Sequence, residues 1–340
     1  MKRAALIGLT VILLLSILVM VPSEMSLAEI VEIPLDKTKM DDVDPAYYLA
    51  DVPLSNVKKR TTDMKALEKI THLEYQDPSL HITLDRGEWM APNRVKGTDE
   101  LVRTQYWVVR IQLANATQIR TGLGSRNGKT RESNYWWYDH YNPVLAINGD
   151  GFGDNFNGYG RHIVRQGKVL KSNASGNKDG FNGFDALIID DQGDFHIIRY
   201  AKEADFDAFE GNIVNCFSFG PALVMDGELV TELYDGVRYK NMIGAEIPAR
   251  RICIAQTGPL SYMIVQSDGP EDPDKSGLWL SDFAELVYSL GDVQIAYNLD
   301  GGASTRILFH GGQVECPYVN TKSQRRANGD MILFASAWQE

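Results

Sequence analysis

The densest group of residues able to do chemistry is NLDGGASTR, residues 298–306. Apolar strand residues lead into it, with Ile295, Tyr297 and Leu299 on one face and Ala296, Asn298 and Asp300 on the other. Gly301 and Gly302 would let the backbone approach a ligand closely. The stretch from Gly302 through Ser304 to Thr305 offers N–H groups and hydroxyls to an anion, in the manner of a nest. The same residue types also make a tight turn with a capping Asp, and spacing alone leaves both readings open.

A second group, AINGDGFGDNFNGYGRH at 146–162, places Asn148, Asp150 and Asp154 among five glycines after an apolar strand. Such a turn suits a sugar or a cation. The Asp150 to Asp154 spacing invites a calcium loop, although it lacks the register and late Glu of an EF-hand. His162 closes the group as a candidate acid, base or phosphate contact, or as a satisfied structural histidine. The third group is basic. Arg250 and Arg251 open RRICIAQ, Gln256 ends it, and Arg325-Arg326 lie near the C-terminus. A guanidinium fork fits phosphate or carboxylate, but an Arg pair is a solvated face unless the fold brings it to Asp300. Asp268 and Gly269, after the strand SYMIV, are by themselves a turn.

These groups need elements to hold them, and the pattern predicts short strands and tight turns. WVVRIQL alternates with a period of two. HIVRQGKVL, ALIIDDQGDFHIIR, ALVMDGELV and RILFHGGQVEC read as hairpins turning on Gln166-Gly167, Gln192-Gly193, Asp226-Gly227 and Gly311-Gly312. One helix is expected in SDFAELVYSLG, where Phe283, Leu286, Val287 and Leu290 form a single stripe. Ser281 is its expected N-cap and Gly291 its stop. TDMKALEKI is a weaker amphipathic stretch. The fold class expected is α+β: a mixed, largely antiparallel sheet with several hairpins and packed helices in a single main domain.

The 340 residues are 44% apolar and 23% charged, values of a globular chain, with a net charge of −11. That balance argues against nucleic acid as a partner, because phosphate backbones need concentrated Lys and Arg. Lys2 and Arg3 precede an apolar run from Ala4 to Val21, followed by Ser26 and Ala28 at a small-x-small spacing. Residues 1–28 therefore read as a signal peptide or membrane anchor, 29–72 as a spacer, and 73–340 as the folded domain outside the cell. Membrane contact is expected only through the N-terminal segment. Cys216, Cys253 and Cys316 match no zinc spacing and are too few for a disulfide framework.

Taken in order, the motifs resemble the phosphodiester glycosidase family, the class of N-acetylglucosamine-1-phosphodiester alpha-N-acetylglucosaminidase. Its bacterial members are described as exopolysaccharide-biosynthesis proteins. The matching elements are NGDGF (148–152), SFGPALVMDG (218–227), RRICIAQ, VQSDG, SGLWLSDFAELV and AYNLDGGASTR. The likeness spans roughly Leu73 to Ala337. Four positions depart from the family pattern: Ala255 and Ala303 replace glycines, Arg306 a threonine and Pro270 an arginine.

The resemblance implies hydrolysis of a sugar-1-phosphodiester at the anomeric carbon, on a cell-wall glycan or exopolysaccharide. Carboxylates would stabilise an oxocarbenium-like sugar while Arg and backbone N–H groups hold the phosphate. Asp300 and Asp268 are the expected carboxylate pair, with Asp150 a third candidate. Asn148, Arg251, Gln256, Gly301, Gly302, Ser304, Thr305 and His162 are the expected substrate contacts. YWWYDHY (135–141) offers rings for stacking or for core packing. Two alternatives follow from the same residues. One is a non-catalytic glycan-binding or polysaccharide-assembly protein, favoured by Ala255, Ala303 and Pro270. The other is a metal-dependent hydrolase using calcium on the Asp150/Asp154 loop.

Overall fold

Two-residue turns at Gly positions leave consecutive strands no option but antiparallel pairing, and the computed structural model has that character throughout. It describes residues 71–94, 96–125, 130–141, 143–150, 160–174, 182–269, 277–314 and 326–338. Strands are numbered in chain order. An eight-stranded sheet runs β1 (His72–Asp77), β2 (Leu80–Asn93), β3 (Thr98–Leu113), β14 (Ser261–Ser267), β13 (Ile252–Gly258), β15 (Ile295–Asn298), β11 (Ala222–Met225), β12 (Glu228–Leu229). A five-stranded sheet runs β7 (Lys168–Ser172), β6 (His162–Arg165), β10 (Ile213–Ser218), β8 (Ala186–Asp190), β9 (Phe195–Ile198). A second five-stranded sheet runs β17 (Gly312–Val314), β16 (Ile307–Phe309), β5 (Leu145–Asn148), β18 (Asp330–Phe334), β4 (Ile119–Leu123). Every pairing between these strands is antiparallel.

Three of the four expected hairpin turns hold. Gln166-Gly167 and Asp226-Gly227 take positive φ at both positions, as a two-residue turn between twisted strands requires, and Gly193 does so in the longer β8–β9 turn. The fourth turns one residue earlier than expected, on His310-Gly311, because Phe309 pairs Gly312 and draws Gly312 into β17.

Helices are few and short, so the fold is sheet-rich rather than clearly α+β with packed helices; local hairpins have taken the chain that crossovers would need. They are α1 (Asn134–Tyr141), α2 (Glu203–Asp207), α3 (Gly236–Met242) and α4 (Leu280–Ser289). α4 is the expected helix, ended by Gly291 at positive φ. It starts one residue before the expected cap, because Asp282 reaches back to accept the Trp279 N–H at 3.2 Å. Its buried Leu280, Phe283, Leu286 and Val287 each contribute about 1.5–3 kcal/mol against the large sheet.

The alternation of β13 shows the layering. Ile252 and Ile254 enter the main core, between the large sheet and the two smaller ones, and Cys253 and Ala255 enter a second core under α3 and α4. α1 covers the outer face of the sheet of β4, β5 and β16–β18 with Trp137, Tyr138 and Tyr141. So YWWYDHY packs chiefly as core, with Tyr135 exposed. Cys216 and Cys253 are free, buried thiols, and burial pushes Cys253 up to about 12. No helix among the described residues is long and apolar enough to cross a membrane. The apolar run at 4–21, TDMKALEKI, Asp154, Pro270 and Cys316 lie outside the described residues.

Candidate functional site

The NLDGG end of β15, the NGD end of β5 and the start of β18 meet because β5 pairs with β18 and the residues after β15 bond back to Gly149. The backbone stitches them together. The Asp300 N–H donates to Gly149 O at 3.2 Å, the Gly149 N–H to Asp330 O at 3.3 Å, and the Gly302 N–H to Arg250 O at 2.9 Å. A cavity of about 540 Å³ opens at this junction, lined by Asn148, Asn298, Asp300, Gly301, Gly302, Ser304, Arg326, Asn328 and Asp330, with Arg131, Phe219 and the 241–251 segment on its walls. That volume is in the range of small-molecule sites.

Two glycines are dictated by close approach. A Cβ on Gly301 would lie 2.7 Å from Arg250 O, and one on Gly149 would lie 2.1 Å from an Asp330 carboxylate oxygen. The third position of the family's glycine run tolerates Ala303, whose carbonyl accepts the Arg326 N–H at 3.1 Å. Ala255 is buried in the second core, away from the cavity.

Asp300 lines the cavity beside Ser304. Burial pushes its carboxyl above the usual range, and the proximity of Asp150 adds to that; the Ser304 hydrogen bond and the Arg326 charge pull the other way. Arg326, on the cavity wall, is thus one of two arginines whose charge acts on Asp300, the other being the buried Arg161. Arg251 also lines the cavity, but its guanidinium is engaged below the surface. It donates to the carbonyls of Leu278 at 3.1 Å, Gly244 at 2.7 Å and Ile247 at 2.7 Å, with longer bonds to Ile243 and Ala245. Burial pulls it down to about 10. It pins the wall after α3 and presents little to a phosphate.

The other expected site residues divide by what their side chains touch. Asn148 lines the cavity but works on the backbone: its Nδ2 donates to Asp300 O at 2.8 Å and its Oδ1 accepts the Arg306 N–H at 2.8 Å. Asn148 therefore clamps both flanks of the 300–306 turn. Asp150 lies behind the cavity, its Oδ1 on Arg165 at 2.9 Å and its Oδ2 accepting the Ser218 N–H at 2.8 Å. Both Asp150 oxygens are thus engaged, and the rest of the loop read as a calcium site, through Asp154, lies outside the described residues. Among the described residues, no group of three His, Cys, Asp or Glu is placed to hold a metal ion.

Asp268, Gln256, His162 and Thr305 do not line the cavity. Asp268 is buried at the end of β14, accepting the N–H of Gly269 at 2.9 Å. Gln256 sits at the opposite end of β13, bonded to Asp194 and to the Phe195 N–H, both at 2.8 Å. His162 pairs with Glu203 at 2.9 Å and stacks on Phe206, as a structural histidine does. Thr305 is buried just past the turn, its N–H on Gly302 O. Arg306 is buried as well, donating to Arg326 O at 2.9 Å.

Sequence reading missed Asp330. It lines the cavity, accepts from Arg165 at 2.8 Å, and burial with the nearby Asp150 and Asp300 charges pushes it up to about 6. Asn298 was also missed as a site residue, though it stands in NLDGG; its Nδ2 donates to Gly220 O at 2.8 Å.

A sheet-rich antiparallel fold carrying an Asp- and Arg-lined cavity at the NLDGG turn agrees with a family model, Phosphodiester glycosidase, that matches residues 141–335; the chain belongs to this family. Among solved structures it is similar to the catalytic domain of zebrafish N-acetylglucosamine-1-phosphodiester alpha-N-acetylglucosaminidase, described as auto-inhibited by its pro-peptide. The identity there is 16% and the TM-score 0.58, over 82% of this chain and 94% of that one. A hypothetical protein from Synechocystis is similar at 14% identity and TM-score 0.47, over 78% of this chain and 64% of that one. At such identities the likeness is one of fold. No curated protein matches.

Proposed function

We propose that this chain is an exported or surface-anchored hydrolase that cleaves a sugar-1-phosphodiester at the anomeric carbon, on a cell-wall glycan or exopolysaccharide. The observation that carries the reading is the convergence of Asp300 and Arg326 on one cavity of about 540 Å³. The zebrafish enzyme's name supplies the reaction class, and the apolar run at 4–21 supports export.

In this reading the C1–O bond to phosphate breaks and its electron pair leaves with the phosphomonoester. The oxygen of water bonds to C1, and the water proton passes to a carboxylate. Phosphate is already a good leaving group, so the site's main task is to steady positive charge on the sugar while holding negative charge on the phosphate. Asp300 serves the first need. Arg326 and Ser304 serve the second, with a guanidinium fork suited to phosphate oxygens.

The test is to incubate purified protein with UDP-N-acetylglucosamine and with a small N-acetylglucosamine-1-phosphodiester, following free sugar beside an Asp300→Asn control. Release that depends on Asp300 supports the reading. Glycan binding without release from any sugar phosphodiester would make the protein a binder on this fold instead.

A further inference from the structure

We infer that Asp330 is the second catalytic carboxylate of this site, the base that takes the proton of the attacking water, and that Asp150, Arg165 and Gly149 are positioning residues that aim it. The inference rests on the hydrolytic reading above. Three observations carry it.

The first is place. Asp330 and Asp300 line the same cavity from two different sheets. They are tied through one residue, since Gly149 donates to the Asp330 carbonyl and accepts from the Asp300 N–H. Gly149 also leaves no room for a side chain against the Asp330 carboxylate. The carboxylate therefore occupies the space that any other residue at 149 would fill.

The second is orientation. One Arg165 nitrogen donates to Asp330 Oδ2 at 2.8 Å and to Asp150 Oδ1 at 2.9 Å, while the other terminal nitrogen donates to Cys216 O at 2.5 Å and Val164 O at 3.0 Å. The guanidinium also sits 4.1 Å over the Phe217 ring. Such a fork fixes one oxygen of Asp330. The hydrogen bonds around Asp330 thus define a held carboxylate on the cavity wall.

The third is charge. The groups facing Asp330 are Arg165 from β6, Asp150 after β5, Asp300 after β15 and the buried Arg161 just before β6. Burial, with the Asp150 and Asp300 charges beside it and the Arg165 charge against it, pushes Asp330 up to about 6. A group with that value is ionised at neutral pH and still basic enough to accept a proton. In the step proposed, the water oxygen bonds to C1 as its proton moves to Asp330, and the C1–O pair departs on the phosphate. Asp330 then returns the proton to solvent.

The experiment is the pH dependence of kcat/KM for N-acetylglucosamine-1-phosphodiester hydrolysis by the purified protein, as wild type, Asp330→Asn and Asp330→Ala, with added formate as a substitute carboxylate. Wild type is expected to lose activity below about pH 6. Asp330→Asn is expected to lose about 10²–10⁴-fold in kcat with little change in KM and no acidic limb, and formate to restore part of the Asp330→Ala rate. Melting of each variant is followed in parallel. Wild type that hydrolyses while folded Asp330→Asn keeps its rate and its acidic limb overturns this inference alone. Loss of rate in the variants with KM rising equally and no rescue by formate overturns it in favour of a structural role. A wild type that releases no sugar overturns the hydrolytic reading and this inference with it.

Discussion

Two strands of the large sheet end in Asp-Gly, and in the sequence they look alike: SYMIVQSDG and QIAYNLDG. In the fold they part company. β15 lies between β13 and β11, and its end faces the NGD turn and the start of β18, so Asp300 opens onto a cavity floored by another sheet. β14 lies between β13 and β3, and its end turns back on the same sheet, with the Asp268 N–H on Gln105 O at 2.8 Å. One Asp-Gly meets the smaller sheet and becomes a site; the other stays within its own sheet. A strand-end carboxylate is functional by virtue of what the neighbouring sheet places opposite it.

The sharpest test of that contrast is Asp300→Asn, expected to lower kcat about 10²–10⁴-fold without a loss of fold, read by sugar release beside a melting curve. Retained turnover would collapse the distinction between the two ends. Next is Arg326→Ala. Removing a charge-assisted phosphate contact is worth about 1.5–3 kcal/mol, hence a fall of about 10–100-fold in kcat/KM that appears mainly in KM. Arg251→Met should do the opposite. Its guanidinium serves carbonyls rather than the cavity, so the expected effect is a loss of about 3 kcal/mol in stability, with KM nearly unchanged well below the melting temperature.

Much of this was legible in the sequence and part was not, for a physical reason. NLDGG and NGD were found because each follows an apolar strand. Asp330 precedes one, in NGDMILF, and the search for acids after strands passes over it. Antiparallel pairing sets the start of one strand beside the end of its neighbour, as Met331 opposite Asn148 shows, so half of such a site lies where that rule does not look. Arg251 and Arg326 were equally visible as arginines. Only the path of the wall after α3 decides that the first is bonded to carbonyls while the second reaches Asp300. Turn chemistry fixed most hairpins, and of the four described helices only α4 carried a clear apolar stripe in the sequence.

The buried acids also set a pH dependence of stability. Asp300 and Asp330 both hold their protons more tightly folded than unfolded, chiefly through burial. Between the ordinary Asp value of about 4 and the Asp330 value of about 6, the folded chain therefore binds more protons than the unfolded one. Stability from these groups is full at the acidic side of that window and falls by about 1–3 kcal/mol as pH rises through it. Thermal melts of wild type against Asp330→Asn from pH 4 to 7 read the difference. Activity moves in the reverse sense over the same window.

The smallest expected effect falls at the other strand end. Asp268→Asn keeps the Oδ1 acceptor for the Gly269 N–H and the backbone bond to Gln105, and it removes a charge from a place that does not line the cavity. Its expected consequence for kcat is within about threefold, because Asp268 does not line the cavity and its Oδ1 is spent on the Gly269 N–H. The measurement is kcat and KM for the small phosphodiester beside a melting curve. A loss of more than tenfold in kcat at unchanged melting would place Asp268 in the chemistry. The two strand ends would then act as the pair that their sequences suggested, and the smaller sheet would cease to be what separates a site from a turn.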